Sequence, residues 1–113
     1  MDFAATITAN AHSLGLAVAQ KNTAELTREH AIDQVGFGFA VVEECAECDE
    51  CMTFRDLYGL AVLAIEYSVE GMIDACRQMV SGGVPVLRRD RNLVTPVDPG
   101  YEFETFCGFR GYG

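Results

Sequence analysis

The stretch TFRDLYGLAVLAIEYSVEGMIDACRQM, residues 53–79, decides how the chain is read. Thr53 stands where a helix cap is needed, and Asp56, three positions on, can return a hydrogen bond to the backbone. Leu57, Leu60, Ala61, Ala64, Ile65, Val69, Met72, Ile73, Cys76 and Met79 then recur at spacings of three and four. Glu66, Glu70, Asp74 and Arg77 fall on the opposite stripe. The pattern predicts one long central helix, stopped by Ser81-Gly82-Gly83 and by Pro85 beyond it.

Upstream, Phe3, Ile7, Ala11, Leu14 and Val18 keep the same spacing and predict a first helix from Phe3 to about Gln20. Thr23 or Thr27 can cap a second helix, with Glu25 and Glu29 early in it, where the helix dipole favours negative charge. Val35-Gly36-Phe37-Gly38-Phe39 suits a helix or a short strand. Read as helix, its glycines mark a close approach, and the second helix runs on to Met52. Downstream, Pro96 and Pro99-Gly100 exclude long helices, while Tyr101-Glu102-Phe103-Glu104 alternates like a short strand or an extended arm. The expected fold is therefore all-α: a three-helix bundle over residues 1–84, with an extended, aromatic-rich segment over 85–113 packing on the bundle or on a neighbouring subunit.

With 113 residues, half of them hydrophobic and 22% charged, the chain has the size and composition of one folded domain. Its net charge of −9 is uneven: residues 1–87 hold 13 acids and 4 bases, and residues 88–113 hold four of each. Such a field repels phosphate backbones, so direct nucleic-acid binding is not expected, whereas a basic protein, or a protein's nucleic-acid groove, is favoured. The apolar helices make a homo-oligomer the expected state. No apolar run is long enough for a membrane span, and Met1-Asp2-Phe3 lacks a signal peptide's basic start, which predicts a cytoplasmic protein. Five cysteines are then read as reduced thiols without a structural disulfide.

The most distinctive local feature is Glu43-Glu44-Cys45-Ala46-Glu47-Cys48-Asp49-Glu50, five acids in eight residues without a base. As a helix face it presents Glu43, Glu44, Glu47, Asp49 and Glu50 to a partner, with Tyr101, Phe103, Phe106, Phe109 and Tyr112 as aromatic anchors. The function expected first is accordingly a non-catalytic acidic binding module, an inhibitor, adaptor or assembly subunit of the kind phages and mobile elements encode, without a cofactor.

Val42-Glu43-Glu44-Cys45-Ala46-Glu47 also resembles the EExxE motif of MazG-like, all-α nucleoside triphosphate pyrophosphohydrolases. The resemblance implies Mg²⁺ held by Glu43, Glu44 and Glu47 against a nucleotide's phosphates. The family's later ExxD motif has its nearest counterpart in Glu70 and Asp74, although Glu70-Gly71-Met72-Ile73-Asp74 is one residue too long. A third reading takes Cys45, Cys48 and Cys51, with Cys76 and Cys107 elsewhere, as a zinc or iron-sulfur cluster. Three sulfurs spaced by three along a helix spread around it and do not converge on one ion, so buried apolar cysteines are preferred.

Overall fold

The computed structural model describes residues 2–79 and 84–107. Helix α1 (Asp2–Ser13) leads to strand β1 (Ala19–Lys21), a π-type helical segment (Glu29–Val35) and strand β2 (Phe39–Glu43). Helix α2 (Cys51–Tyr58), strand β3 (Val62–Glu66), helix α3 (Val69–Met79) and strands β4 (Val86–Arg89) and β5 (Phe103–Cys107) follow. The strands form one five-stranded sheet in the order β1-β2-β3-β4-β5. The first four run parallel, and β5 returns antiparallel along β4.

This replaces the expected all-α bundle. Ala61-Val62-Leu63-Ala64-Ile65 is a continuous apolar run, as inner strands of a parallel sheet usually are, and such a run matches a helical template as well as a strand. Gly59, expected inside a helix, instead ends α2 at φ 59°, a conformation costly for any other residue. The central helix is thus two helices with β3 between them. The second expected helix likewise resolves into the π segment, β2 and a turn over 44–50, because Gly36 takes φ 88° and breaks the helical path. The first stops at Ser13, before Gly15 at φ 77°. Residues 80–83, the expected stop of the central helix, lie outside the described residues.

Parallel neighbours joined in chain order need crossover connections. Right-handed crossovers advancing in one direction place every connection on the same side of the sheet. Burial agrees: Ala40, Val42, Val62, Ala64 and Val86 share a core with Phe54 of α2 and with Met72, Ala75, Cys76 and Met79 of α3. Alternation sends Val41, Glu43, Leu63, Ile65 and Leu87 to the other face, where they are only half-buried.

Two disulfides fasten this arrangement, in place of the expected free thiols. Cys45–Cys51 closes the turn between β2 and α2, and Cys76–Cys107 ties α3 to β5. The expectation of reduced thiols rests on a cytoplasmic location; here a turn brings the Cα atoms of Cys45 and Cys51 to 4.7 Å, and β5 brings Cys107 to 5.9 Å from Cys76. Cys48 stays free and exposed. Arg88 adds a charged clamp across β4 and β5, donating to Glu104 at 2.9 and 3.2 Å and to Glu102 at 2.6 Å. Among the described residues, no helix is long and apolar enough to cross a membrane.

Candidate functional site

Parallel sheets gather chemistry at the carboxyl ends of their strands, where each chain leaves the sheet for a loop. Here β1 ends on Lys21-Asn22, β2 on Glu43-Glu44, β3 on Glu66-Tyr67, and the chain leaves β4 through Asp90-Arg91. Three residues at these exits, Asn22, Thr23 and Glu44, hold left-handed φ values of 54°, 65° and 53°. Such strain in non-glycine residues persists only where the surroundings enforce it.

At β1 the enforcing residue is Gln20. Fully buried, it accepts from the Tyr58 hydroxyl at 2.6 Å and donates to the carbonyls of Asn22 and Thr23 at 2.9 and 2.8 Å. The turn so held aims Asn22 at β2. Its Oδ1 accepts from the Glu43 amide at 2.8 Å, and its Nδ2 donates to Glu43 Oε2 at 3.3 Å.

Glu43 collects two further donors. Lys21 Nζ lies 3.2 Å from Oε2, and the Tyr67 hydroxyl donates to Oε1. The Tyr67 hydrogen bond above all, then Lys21 and Asn22, hold the Glu43 carboxyl below its usual range against partial burial. Tyr67 is pushed up to about 12 by burial and by Glu43, so it remains a donor. Arg91 completes the rim: its guanidinium stacks 4.9 Å from the Tyr67 ring centroid and donates to Glu44 Oε1 at 2.6 Å. Glu43 is therefore an oriented anion on the half-buried face.

Glu66 differs in every respect. It is 1% exposed, on the helix-covered face, and accepts from the Ala46 amide at 3.2 Å. Burial pushes its carboxyl up to about 7; the Ala46 hydrogen bond opposes the rise, and Glu44, Glu47 and Asp74 add to it.

Of the acids singled out in the sequence, Glu43 and Glu44 stand on the rim. Glu47 and Asp49 are exposed in the 44–50 turn, with Glu50 half-buried just before α2, so the five acids do not form a helix face. Glu70 and Asp74 are exposed on α3. Tyr101 lies under the Arg89 guanidinium, 5.0 Å from it, and Phe103 is exposed on β5. The side chain of Phe106, and Phe109 and Tyr112 altogether, lie outside the described residues. Sequence reasoning missed Lys21, Asn22, Tyr67 and Gln20. For Tyr67 the available signal was the polar end of the run Ala61–Ile65, once that run is read as a strand; Gln20, Lys21 and Asn22 carried none.

The sequence model of glycoside-hydrolase family GH114 matches residues 1–108. No curated protein and no solved structure matches the chain. The family match overturns the resemblance to MazG-like pyrophosphohydrolases. It likewise replaces the non-catalytic inhibitor or adaptor of phage type, because the matched family is one of hydrolases. The cysteine-cluster metal protein fails too, since four of the five sulfurs are spent in disulfides. An α/β chain matched over nearly its whole length belongs to glycoside-hydrolase family GH114.

Proposed function

We propose that the chain serves glycoside hydrolysis at the carboxyl-end rim of its sheet, with Glu43 as the anionic reacting carboxylate. The observation that carries this is the seating of Glu43, whose oxygens are fixed by Tyr67, Lys21 and Asn22 on the face that the helices leave open. Glycosidases act through carboxyl groups flanking the scissile bond, across a transition state with positive charge on the sugar ring. A carboxylate held ionised and aimed by three donors can stabilise that charge, attack the anomeric carbon or activate water. Its orientation is set before substrate arrives, which is where electrostatic catalysis draws its strength.

Glu66 is not assigned the proton-donor role, although its carboxyl titrates where a general acid should. It is buried on the opposite face and cannot flank the same bond as Glu43. The ligand in this proposal is a glycan, and no step is routed through a cofactor. The two disulfides favour an oxidising compartment over the cytoplasm.

The test is release of reducing ends from a panel of α- and β-linked polysaccharides. Glu43→Gln should lower kcat on the order of a thousandfold, as loss of a positioned catalytic carboxylate does. Glu47→Gln, in the exposed turn, should leave it unchanged. Equal turnover by wild type and Glu43→Gln, or no turnover of any polysaccharide by the wild type, would remove the reading.

A further inference from the structure

Glu66 is the one fully buried acid among the described residues, and the site above does not use it. Its carboxyl lies in a cage. Both sulfurs of the Cys45–Cys51 disulfide are within 4.8 Å of a carboxylate oxygen, and α3 comes so close that a Cβ on Gly71 would meet Oε2 at 2.8 Å. Gly71 sits in the first turns of α3 at a cost in helix propensity, and its missing side chain is what leaves room for the carboxyl.

The charged groups around Glu66 offer no compensation. Glu44 and Glu47 face it from the turn after β2, and Asp74 from α3. Arg88, its register partner on β4, is committed to Glu102 and Glu104. The remaining partner is the Ala46 amide. A buried carboxyl with one donor and no cation is stable as the neutral acid and costly as the anion. Ala46 belongs to the turn that starts at the strained Glu44, directly after Glu43.

We propose that Glu66 is a positioning residue: from the helix-covered face its carboxyl grips the Ala46 amide, and through it the 44–50 turn, keeping Glu43 and Glu44 seated on the rim. Ionisation strengthens the Ala46 hydrogen bond itself but leaves an uncompensated anion in the cage, so above its titration the closed turn loses stability against an arrangement that opens the cage to water. The effect on catalysis rests on the reading of Glu43 as the reacting carboxylate; the grip itself is measurable without substrate.

Hydrogen exchange of the peptide covering residues 44–50, in the oxidised full chain and corrected for intrinsic rates, tests it. Between pH 6 and pH 8 the wild-type protection factor should fall about tenfold, which follows by linkage from titration near 7 in the closed state and near 4.5 in the open one. Glu66→Gln keeps the volume and removes the titration, so its protection should not change with pH. Gly71→Ala should deprotect the turn at every pH, although the same change would otherwise firm α3. With an active substrate in hand, wild-type kcat should decline through pH 7 with KM unchanged, and that limb should vanish in Glu66→Gln. A flat wild-type exchange profile, or the same pH-dependent fall in Glu66→Gln, would overturn the grip whatever the fate of Glu43.

Discussion

Glu43 and Glu66 end adjacent strands, yet one is an anion with three donors on the half-buried face and the other a buried acid with one. Register explains the contrast. Glu43 pairs with Ile65, so Glu66, one residue further along β3, points to the opposite face. On the open side, the ends of β1 and β3 supply Lys21, Asn22 and Tyr67. On the covered side, α3 and the disulfide supply close contact and no compensating cation. A single step of strand parity thus separates a carboxylate fitted for chemistry from one fitted to hold a proton and a turn.

Each way of breaking this contrast has an expected size. The largest is on turnover, the roughly thousandfold loss in Glu43→Gln, equivalent to about 4 kcal/mol of barrier. Next is the Cys76–Cys107 tether, which spans 31 residues. Replacing both cysteines by serine should lower unfolding free energy by about 3.7 kcal/mol in chemical denaturation, by loop-closure entropy. Thiol counting bears on the same point: one accessible thiol, Cys48, is expected in the native chain and five after reduction and unfolding.

Glu66 should leave its mark on stability against pH. Its folded value, about 7, lies above its ordinary 4.5, so its contribution is complete below 4.5 and is lost as pH rises through 7. The loss amounts to roughly 3 kcal/mol at most, at 1.36 kcal/mol per unit. Glu66→Gln should flatten that slope in denaturation series from pH 5 to 8. Glu43 has the opposite sign, its contribution present above the ordinary carboxylate range and lost as pH falls through its depressed value. The smallest effect is expected from Tyr67→Phe, which removes one donor to Glu43 and should cost turnover about tenfold, the worth of one hydrogen bond to a charged group.

The sequence showed some of this. The spacing of Phe3, Ile7 and Ala11 marks α1 as a helix, although Phe3 and Ile7 are exposed and Thr8 is its buried residue; Met72 to Met79 marks α3, and the alternation at Tyr101–Glu104 points to an extended strand beside them. The inner strands were hidden by physics they share with helices. At three to five residues, and apolar on both faces in β3, they offer neither the length nor the polar alternation that distinguishes a strand. Residues 43–50 stood out by charge, but charge along the chain does not say which acids share a surface. Once β2 ends at Glu43 and a disulfide-closed turn follows, only Glu43 and Glu44 reach the rim. The donors that matter, Lys21, Asn22 and Tyr67, come from other strands and become neighbours through sheet order alone.

The most direct measurement is a carbon-13 titration of the side-chain carboxyls, following Glu43 and Glu66 in one sample, with Glu43→Gln and Glu66→Gln to assign them. Glu43 should titrate below 4.5 and Glu66 near 7. Two midpoints together at the ordinary value, or in the reverse order, would contradict the division of roles between the two faces of the sheet.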